Sequence, residues 1–266
     1  MKQTDIFQPA EGVHRTISYI TPMNDGHLHN KNELFFLVDG IMTARCNTET
    51  VEVQGPAVVI FGSYSIHSGG SLDHEIYDRY KLFFEDFETE DIFFSQAISF
   101  FKQDHLTVIP LNSDQKAVLL GYFERLHYHT QPKARKYLTQ WILYELSCWY
   151  TPSQEYFPSK NTYIHKVMQQ LAQQFHLNIT LEELAEQYFI SRAKLVADFK
   201  RYTGMTVGEY RLLIRINNAK TMLEQGQNVK SVARACGYGD ESYFIKKFTQ
   251  AFGVTPKEYV NQRKTK

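Results

Sequence analysis

The sequence predicts an α+β protein of two domains: an N-terminal sandwich or barrel of short antiparallel strands, followed by an all-α domain with two helix-turn-helix motifs. The first observation is length, since 266 residues suffice for two compact cores. The second is a change from short apolar or alternating runs to helical periodicity. The third is charge: from Lys160 onward there are 17 basic and 9 acidic residues, although the whole chain has no net charge. This division is typical of a polyanion-binding module joined to a domain of another kind.

The composition also indicates the cellular compartment of the protein. No apolar run approaches the ~20 residues that would span a bilayer, and the first residues lack the apolar stretch of a signal peptide. The cysteines Cys46, Cys148 and Cys236 are odd in number and far apart, which fits reduced thiols. No Cys/His spacing of the zinc-finger kind is present, so we expect no structural zinc. The chain is therefore predicted to be cytoplasmic.

The order of patterns along the chain predicts its organisation. Residues 16–86 contain runs such as ELFFLV and AVVIF, separated by Gly, Asp, Asn and Pro, and predict short antiparallel strands. Residues 114–149 predict two amphipathic helices, broken at Gln131-Pro132. Residues 151–161 hold two prolines and polar residues, as linkers do. We predict a first domain over 1–150, a linker over 151–161 and a helical domain over 162–266.

The helical domain contains an internal repeat. Leu195, Phe199, Gly204 and Tyr210 recur 49 residues later, as Phe244, Phe248, Gly253 and Tyr259. Each copy has the pattern of a helix-turn-helix, at about 180–202 and 229–252. Two tandem copies of a motif that enters the major groove indicate a protein that binds double-stranded DNA.

Capping residues mark where these helices begin and end. Thr180 and Glu183 form a capping box ahead of the first helix, and Ser191 is a good N-cap for the second. Gly204 ends that helix. In the second copy Asp240 is the predicted N-cap, and residues 207–226 between the copies predict a connecting helix.

One helix of each copy is predicted to enter the major groove. A groove about 12 Å wide admits one helix, whose N-terminal part contacts base edges. Lysines and arginines on its flanks neutralise phosphates, small apolar side chains contact thymine methyl groups, and an arginine can bind guanine. The predicted DNA-binding residues are Arg192, Ala193, Val196, Ala197, Lys200 and Arg201 in the first copy, and Glu241, Ser242, Tyr243, Lys246 and Lys247 in the second.

Residues 163–260 resemble the DNA-binding domain of the AraC/XylS family of transcriptional regulators. The resemblance is densest over GYGDESYFIKKFTQAFGVTPKEY. It implies two helix-turn-helix units, joined by a helix, that insert into adjacent major grooves. The positions that match family contacts are Arg192, Ala193, Val196 and Ala197, then Glu241, Ser242 and Lys246. The chain departs from the family at Ala197, where Arg is common, and at Asp198, where an apolar residue is usual. A nearly buried Asp198 would need a partner.

A second resemblance lies in the N-terminal half. His27, His29 and Glu33 form an HxHxxxE pattern, and His67 lies twelve residues after Gly55. This spacing resembles the cupin barrel, although Phe61 stands where a cupin has proline. Many AraC-type regulators carry such a domain, so the resemblance implies a cupin-like effector-binding and dimerisation domain with a helical dimerisation segment.

Three interpretations of this cluster remain open. His27, His29, Glu33 and His67 could bind a divalent metal. They could instead hydrogen-bond a polyhydroxylated effector, most simply a sugar, which would stack on Tyr64, Phe36 or Tyr19. They could also be barrel-lip residues without a ligand. The small-molecule pocket is the favoured interpretation, and no cofactor is expected.

The helices over 114–149 have two interpretations. They could cover the barrel, or they could form an antiparallel dimer interface, as the resemblance implies. Trp141, Tyr144, Leu146 and Trp149 make this segment more aromatic than an isolated exposed face should be, which favours a homodimer.

Together these patterns predict a sequence-specific transcription regulator rather than an enzyme, and the resemblance favours an activator. The expected partners are promoter DNA, a small-molecule effector and a second copy of the chain. RNA polymerase is a further candidate, and no membrane partner is expected. Two alternatives remain: a metal-dependent cupin enzyme with a helical docking domain, and an architectural DNA binder without sequence preference.

Overall fold

A computed structural model describes residues 13–18, 26–71, 77–84, 106–128, 131–150 and 162–264. The chain divides into two compact units, built mainly of residues 31–160 and 161–266. The predicted linker over 151–161 lies outside the described residues. Across the ranges that are described, no helix is both long enough and apolar enough to cross a membrane.

The N-terminal unit is built on antiparallel strands that form two sheets. The strands are β1 Val13–Ser18, β2 Asn32–Asp39, β3 Ile41–Cys46, β4 Glu49–Gln54, β5 Ala57–Phe61, β6 His67–Gly70, β7 Tyr77–Phe84 and β8 Leu106–Pro110. The five-stranded sheet has the order β1-β7-β2-β5-β8, and the three-stranded sheet has the order β4-β3-β6.

The predicted antiparallel strands are confirmed, but the closed barrel that the cupin resemblance implies is not. Within the described ranges, no ladder of hydrogen bonds joins an edge strand of one sheet to an edge strand of the other. The unit is therefore a pair of sheets. A hydrophobic cluster that includes Phe35, Val59, Met42 and Ala44 fills the space between them, as in a sandwich.

Strand β2 is buried on both faces because each face has a different covering. Phe35 and Leu37 contribute to the cluster between the sheets. Leu34 and Phe36 alternate with them and contribute to a second cluster, which is shared with the helices. A strand covered on both sides has a continuous apolar run, which explains the ELFFLV pattern.

Two helices cover the outer face of the five-stranded sheet. They are α1 Ser113–Tyr128 and α2 Pro132–Trp149, so the predicted break at Gln131-Pro132 is confirmed. Phe123 of α1 packs on Phe36 with ring centroids 5.3 Å apart. Leu146 is wholly buried in this core, whereas Trp141 is 43% exposed. The helices therefore bury one face on the sheet and leave an aromatic face uncovered.

The C-terminal unit is helical throughout its described length. Its helices are α3 Thr162–Gln173, α4 Leu181–Gln187, α5 Arg192–Thr203, α6 Val207–Glu224, α7 Val229–Ala235, α8 Glu241–Phe252 and α9 Pro256–Lys264. Helices α4 and α5 form the first helix-turn-helix and α7 and α8 form the second, with α6 between them.

The predicted repeat is confirmed in packing and in capping. The paired side chains Leu195 and Phe244 are both wholly buried, as are Phe199 and Phe248. The capping box at Thr180 and the N-caps at Ser191 and Asp240 all form. The glycines that end α5 and α8 have left-handed φ values of 79° and 73°, which a residue with a Cβ adopts at a cost.

Helix α6 is fixed to the rest of the unit by two arginines. Arg211 donates to the carbonyl of Ile179 at 2.7 Å. Arg215 donates to the carbonyls of Phe175 at 2.6 Å and Leu177 at 3.0 Å. These guanidinium groups hold the loop that precedes α4. Part of the basic charge that the sequence assigned to DNA binding is therefore used inside the fold.

A candidate nucleic-acid interface and a buried polar cluster

Helix α5 exposes the residues that the sequence predicts for DNA binding. Arg192, Ala193, Val196 and Ala197 are all exposed, and Lys200 and Arg201 are exposed farther along the helix. Buried Leu195 and Phe199 lie on the opposite side. The helix therefore presents one apolar face to the core and a face of small and basic residues to solvent, as a recognition helix requires.

Helix α8 presents the corresponding face of the second copy. Glu241, Ser242, Tyr243 and Lys246 are exposed, with Tyr243 51% accessible. Lys247 is half-buried, and its ammonium group lies 5.6 Å from the centroid of the Tyr243 ring. All eleven predicted DNA-binding residues therefore lie on the two candidate recognition helices, and ten of them are exposed.

Asp198 has the partners that the sequence could not identify. Its carboxylate accepts a short hydrogen bond from the Tyr163 hydroxyl of α3 and lies 2.7 Å from the Lys194 ammonium group. The guanidinium of Arg201 is 3.5 Å from its other oxygen. The hydrogen bonds from Lys194 and Tyr163 lower the pKa of Asp198 below its usual range. Asp198 is therefore ionised at neutral pH, although it is nearly buried.

Arg192 also has an acidic neighbour. Its Nε lies 2.9 Å from a carboxylate oxygen of Glu182 on α4, with both side chains 62% exposed. A pair exposed to this extent contributes little free energy, so a guanine or a phosphate could displace it readily. In contrast, neither Lys246 nor Lys247 forms an ion pair within the part of the chain that the structure describes.

The predicted cupin-type residues come together in the structure. His27, His29, Glu33 and His67 each offer one ligand atom, and these four atoms lie within 4.8 Å of one another. His27 and His29 have ring centroids 5.4 Å apart. Glu33 and His67 are almost completely buried. Donors of this kind at these distances suit a divalent metal or a ligand rich in hydroxyl groups.

Glu33 already has two basic neighbours. His67 Nε2 lies 3.0 Å from one carboxylate oxygen and Lys81 Nζ lies 2.8 Å from the other. His67 Nδ1 faces the Ser65 carbonyl at 3.0 Å. Nε2 faces Glu33 and Nδ1 faces the Ser65 carbonyl, so the protein fixes the orientation of this ring. The Glu33 charge is compensated by the Lys81 ammonium group.

Tyr77 interacts electrostatically with Glu33 of this cluster, although the sequence did not assign it to the site. Its hydroxyl is buried and forms no hydrogen bond with any residue in the described ranges. Burial raises the pKa of this phenol, and the Glu33 charge raises it further. A neutral, unpaired donor beside a charged cluster is suited to bind a ligand. Its place in the strand YDRYKLFF gave no signal of this.

The three predicted stacking residues have different outcomes. Phe36 lies on the face of β2 opposite Glu33, packed against Tyr80 and Phe123. It therefore belongs to the core between sheet and helices rather than to the cluster. Tyr64 is half-buried with a φ of 61°, and Tyr19 lies outside the described residues. The ring that does stack on His67 is Phe61, at 4.6 Å between centroids.

Comparison with known proteins bears on the duplicated helices. A family model described as a helix-turn-helix domain matches residues 184–262, which include both α5 and α8. The match overlaps residues 163–260, whose resemblance to the AraC/XylS transcription regulators it supports, and it favours a regulator over an enzyme.

Two curated transcription regulators match part of the chain. The transcriptional regulator ArgR of Pseudomonas aeruginosa is 33% identical over 87 residues, which cover 32% of this chain and 26% of ArgR. The transcriptional activator RhaR of Pectobacterium atrosepticum is 39% identical over 79 residues, which cover 29% of this chain and 28% of RhaR. The matched part therefore spans about a quarter of the length of each relative.

A likeness to solved structures extends over both units. ToxT of Vibrio cholerae, in a crystal structure with an unsaturated fatty acid bound, has a TM-score of 0.53 and covers 96% of this chain. This chain covers 97% of that structure, at 13% sequence identity. An apo structure of a ToxT variant has a TM-score of 0.52. The fold, a β-rich unit followed by a helical unit, is therefore shared with a solved structure.

Proposed function

We propose that the protein is a sequence-specific, DNA-binding transcription regulator. The observation that carries this proposal is the duplicated recognition surface: α5 and α8 each bury an aromatic or aliphatic face and expose their predicted contact residues. The AraC-type match over residues 184–262 supports it. Activation is the favoured direction of control, because RhaR is named an activator.

Footprinting of the full chain tests this proposal. Fragments of genomic DNA that bind the protein would be selected through several rounds and then probed with DNase I. We expect protection of a defined site that contains two adjacent major-groove contacts on one face of the duplex. Uniform, weak protection without a defined site would contradict it and would favour the architectural alternative.

For the N-terminal unit we propose a small-molecule effector site at the cluster of Glu33 and His67. Its carboxylate can accept hydrogen bonds from hydroxyl groups, and the Tyr77 phenol can donate one. A carbohydrate fits this chemistry better than a fatty acid, whose chain would need an apolar channel. ToxT shares the fold and carries an unsaturated fatty acid in its crystal structure, which supports a small-molecule effector for a protein of this fold.

A divalent metal is the second candidate, favoured by the convergence of three imidazoles and one carboxylate within 4.8 Å. The pairing of Glu33 with His67 and Lys81 opposes it, because a metal would have to displace the proton on His67 Nε2 and the Lys81 ammonium group. Metal binding should therefore release protons, which a carbohydrate would not.

Thermal unfolding of the full chain distinguishes these candidates. The ligands to be compared are a panel of pentoses and hexoses, cis-9-octadecenoic acid, and the chlorides of Zn²⁺, Mn²⁺ and Co²⁺. We expect a sugar to raise the Tm of the wild type but not that of Tyr77→Phe. The control is Tyr80→Phe, on the opposite face of the same strand, which should retain the response. Stabilisation by a metal or the fatty acid alone would refute a carbohydrate effector.

We further propose that α1 and α2 pair two copies of the chain. Tyr137 and Trp141 are one helical turn apart on α2 and are 58% and 43% exposed. Aromatic side chains at this spacing form a stripe that a second helix pair can cover. Sedimentation should give a dimer for the wild type and a monomer for Trp141→Glu. Lys133→Glu, at the exposed start of α2, should remain dimeric, and a monomeric wild type would contradict the proposal.

A further inference from the structure

The charge on recognition helix α5 is compensated internally by Asp198. Lys194, Arg201 and Tyr163 all contact this carboxylate, and we call these four residues the Asp198 cluster. The Asp198 side chain is 9% exposed, whereas Lys194 and Arg201 are 56% and 78% exposed. The two cations therefore reach solvent while the anion that holds them lies beneath.

The position of the cluster matters because of the size of the groove. A helix with its side chains is about 10–12 Å across, close to the width of the major groove, so the flanks of a docked helix lie beside the phosphate walls. Lys194, Asp198 and Arg201 follow one another at helical spacing along one flank of α5. On that flank a carboxylate repels phosphate and also withdraws two cations from it.

The second copy has the opposite charge at this place. The repeat offset of 49 residues pairs Asp198 with Lys247. No carboxylate among the described residues forms an ion pair with Lys247, and its neighbour is the ring of Tyr243. The same structural position therefore opposes phosphate binding in one copy and favours it in the other.

We propose that Asp198 is a specificity-determining residue that lowers the sequence-independent affinity of the first helix-turn-helix for the DNA backbone. This inference rests on the proposed DNA-binding function. With less affinity from phosphates, the binding of α5 depends more on the base contacts of Arg192, Ala193 and Val196. Wrong sequences are then bound less well relative to the correct site.

The salt dependence of DNA binding tests the proposal, because each phosphate neutralised contributes about 0.9 to the slope of log K against log salt concentration. Asp198→Asn keeps an acceptor for the Tyr163 hydroxyl but removes the charge that holds Lys194 and Arg201. We expect the slope to become steeper by about one to two. The ratio of specific to non-specific affinity should fall.

A double-mutant cycle identifies the cause. Lys194→Gln alone should leave the slope nearly unchanged, because Lys194 is already neutralised in the wild type. In the Asp198→Asn background the same substitution should reduce the slope by about one. Tyr163→Phe, which removes the hydrogen bond but not the ion pairs, should keep the wild-type slope if the role of Asp198 is electrostatic.

The outcomes separate this inference from the function on which it rests. An unchanged slope for Asp198→Asn, with a shallower slope for Lys246→Ala, would overturn the role of Asp198 and leave DNA binding intact. A salt slope that is shallower by about one in Lys194→Gln alone would also overturn the role of Asp198, even if Asp198→Asn failed to fold. Absence of a defined footprint in the wild type would instead refute the proposed function.

Discussion

Phe189 and Gly237 occupy equivalent positions in the two helix-turn-helix turns, and both have positive φ values, of 55° and 76°. The residue that follows each of them donates from its backbone N–H to the carbonyl of the equivalent alanine, Ala185 or Ala233, at 3.0 Å. The two turns therefore have the same backbone conformation with very different side chains.

Replacing Gly237 by alanine should destabilise the second motif. A Cβ at this position would lie 2.2 Å from the carbonyl oxygen of His176, and the positive φ adds strain. We expect the free energy of unfolding to fall by about 2 kcal/mol or more, measured by denaturant unfolding. Gly239→Ala is the matched control and should be nearly neutral, because a Cβ added there would meet no heavy atom of the described residues within 4 Å. Equal effects of the two substitutions would contradict this explanation.

Replacing Phe189 by glycine should have the opposite effect on the first motif. Phe189 is 96% exposed, so its side chain contributes little burial, while its left-handed backbone costs about 1–2 kcal/mol relative to glycine. We expect Phe189→Gly to leave the stability unchanged or raise it by up to about 1 kcal/mol. A clear loss in denaturant unfolding would mean that the ring contributes to the fold.

The stability of the helical unit should depend on pH through its capping glutamates. Glu209 accepts from the backbone N–H and the side chain of Thr206, and these hydrogen bonds lower its pKa below 4.5. A depressed pKa in the folded state means that the stabilisation is present above the unfolded pKa and is lost as the pH falls through the folded pKa. Acidification below about pH 4.5 should therefore lower the Tm.

Glu209→Gln tests this origin, because glutamine can still accept in a capping box but does not titrate. The difference in Tm between wild type and variant should be largest near neutral pH and should narrow on acidification. A constant difference across this range would assign the acid sensitivity to other carboxylates, such as Glu183 and Glu258, whose pKa values are lowered in the same way.

Lys246 should contribute one phosphate contact in the complex with DNA. It is exposed on α8, so Lys246→Ala should weaken binding to all sequences and make the salt slope shallower by about one. The control is Lys133→Ala, an exposed lysine on α2, which should keep the wild-type slope. If both variants behave like the wild type in a salt titration, Lys246 makes no backbone contact.

The sequence predicted the helical unit more completely than the β-rich unit, for physical reasons. Caps and apolar periodicity act locally, so Thr180, Ser191 and Asp240 could be placed from their neighbours alone. The capping box at Thr206 was missed although its Thr-x-x-Glu pattern was present. Sheet closure depends on which edges pair across the fold, and no local pattern determines that.

The residues of the candidate sites were also predictable only where local patterns determine their positions. The exposed faces of α5 and α8 follow from helical spacing, so their residues could be assigned before the structure. The partners of Asp198 could not, because Tyr163 comes from another helix. Phe36 was assigned to the ligand site on its residue type, whereas strand alternation places it on the opposite face from Glu33. Arg211 and Arg215 were counted as basic charge, but they bind backbone carbonyls.

Helix α6 has 18 residues and is therefore about 27 Å long. Arg211 and Arg215 attach it to the loop that precedes α4. If both motifs bind DNA at once, α6 fixes the distance between them. The two half-sites must then keep a constant angular relationship around the duplex. Insertion of about five base pairs, half a helical turn, between the half-sites would rotate one of them to the opposite face of the duplex. Insertion of about ten base pairs would restore the alignment but lengthen the spacing.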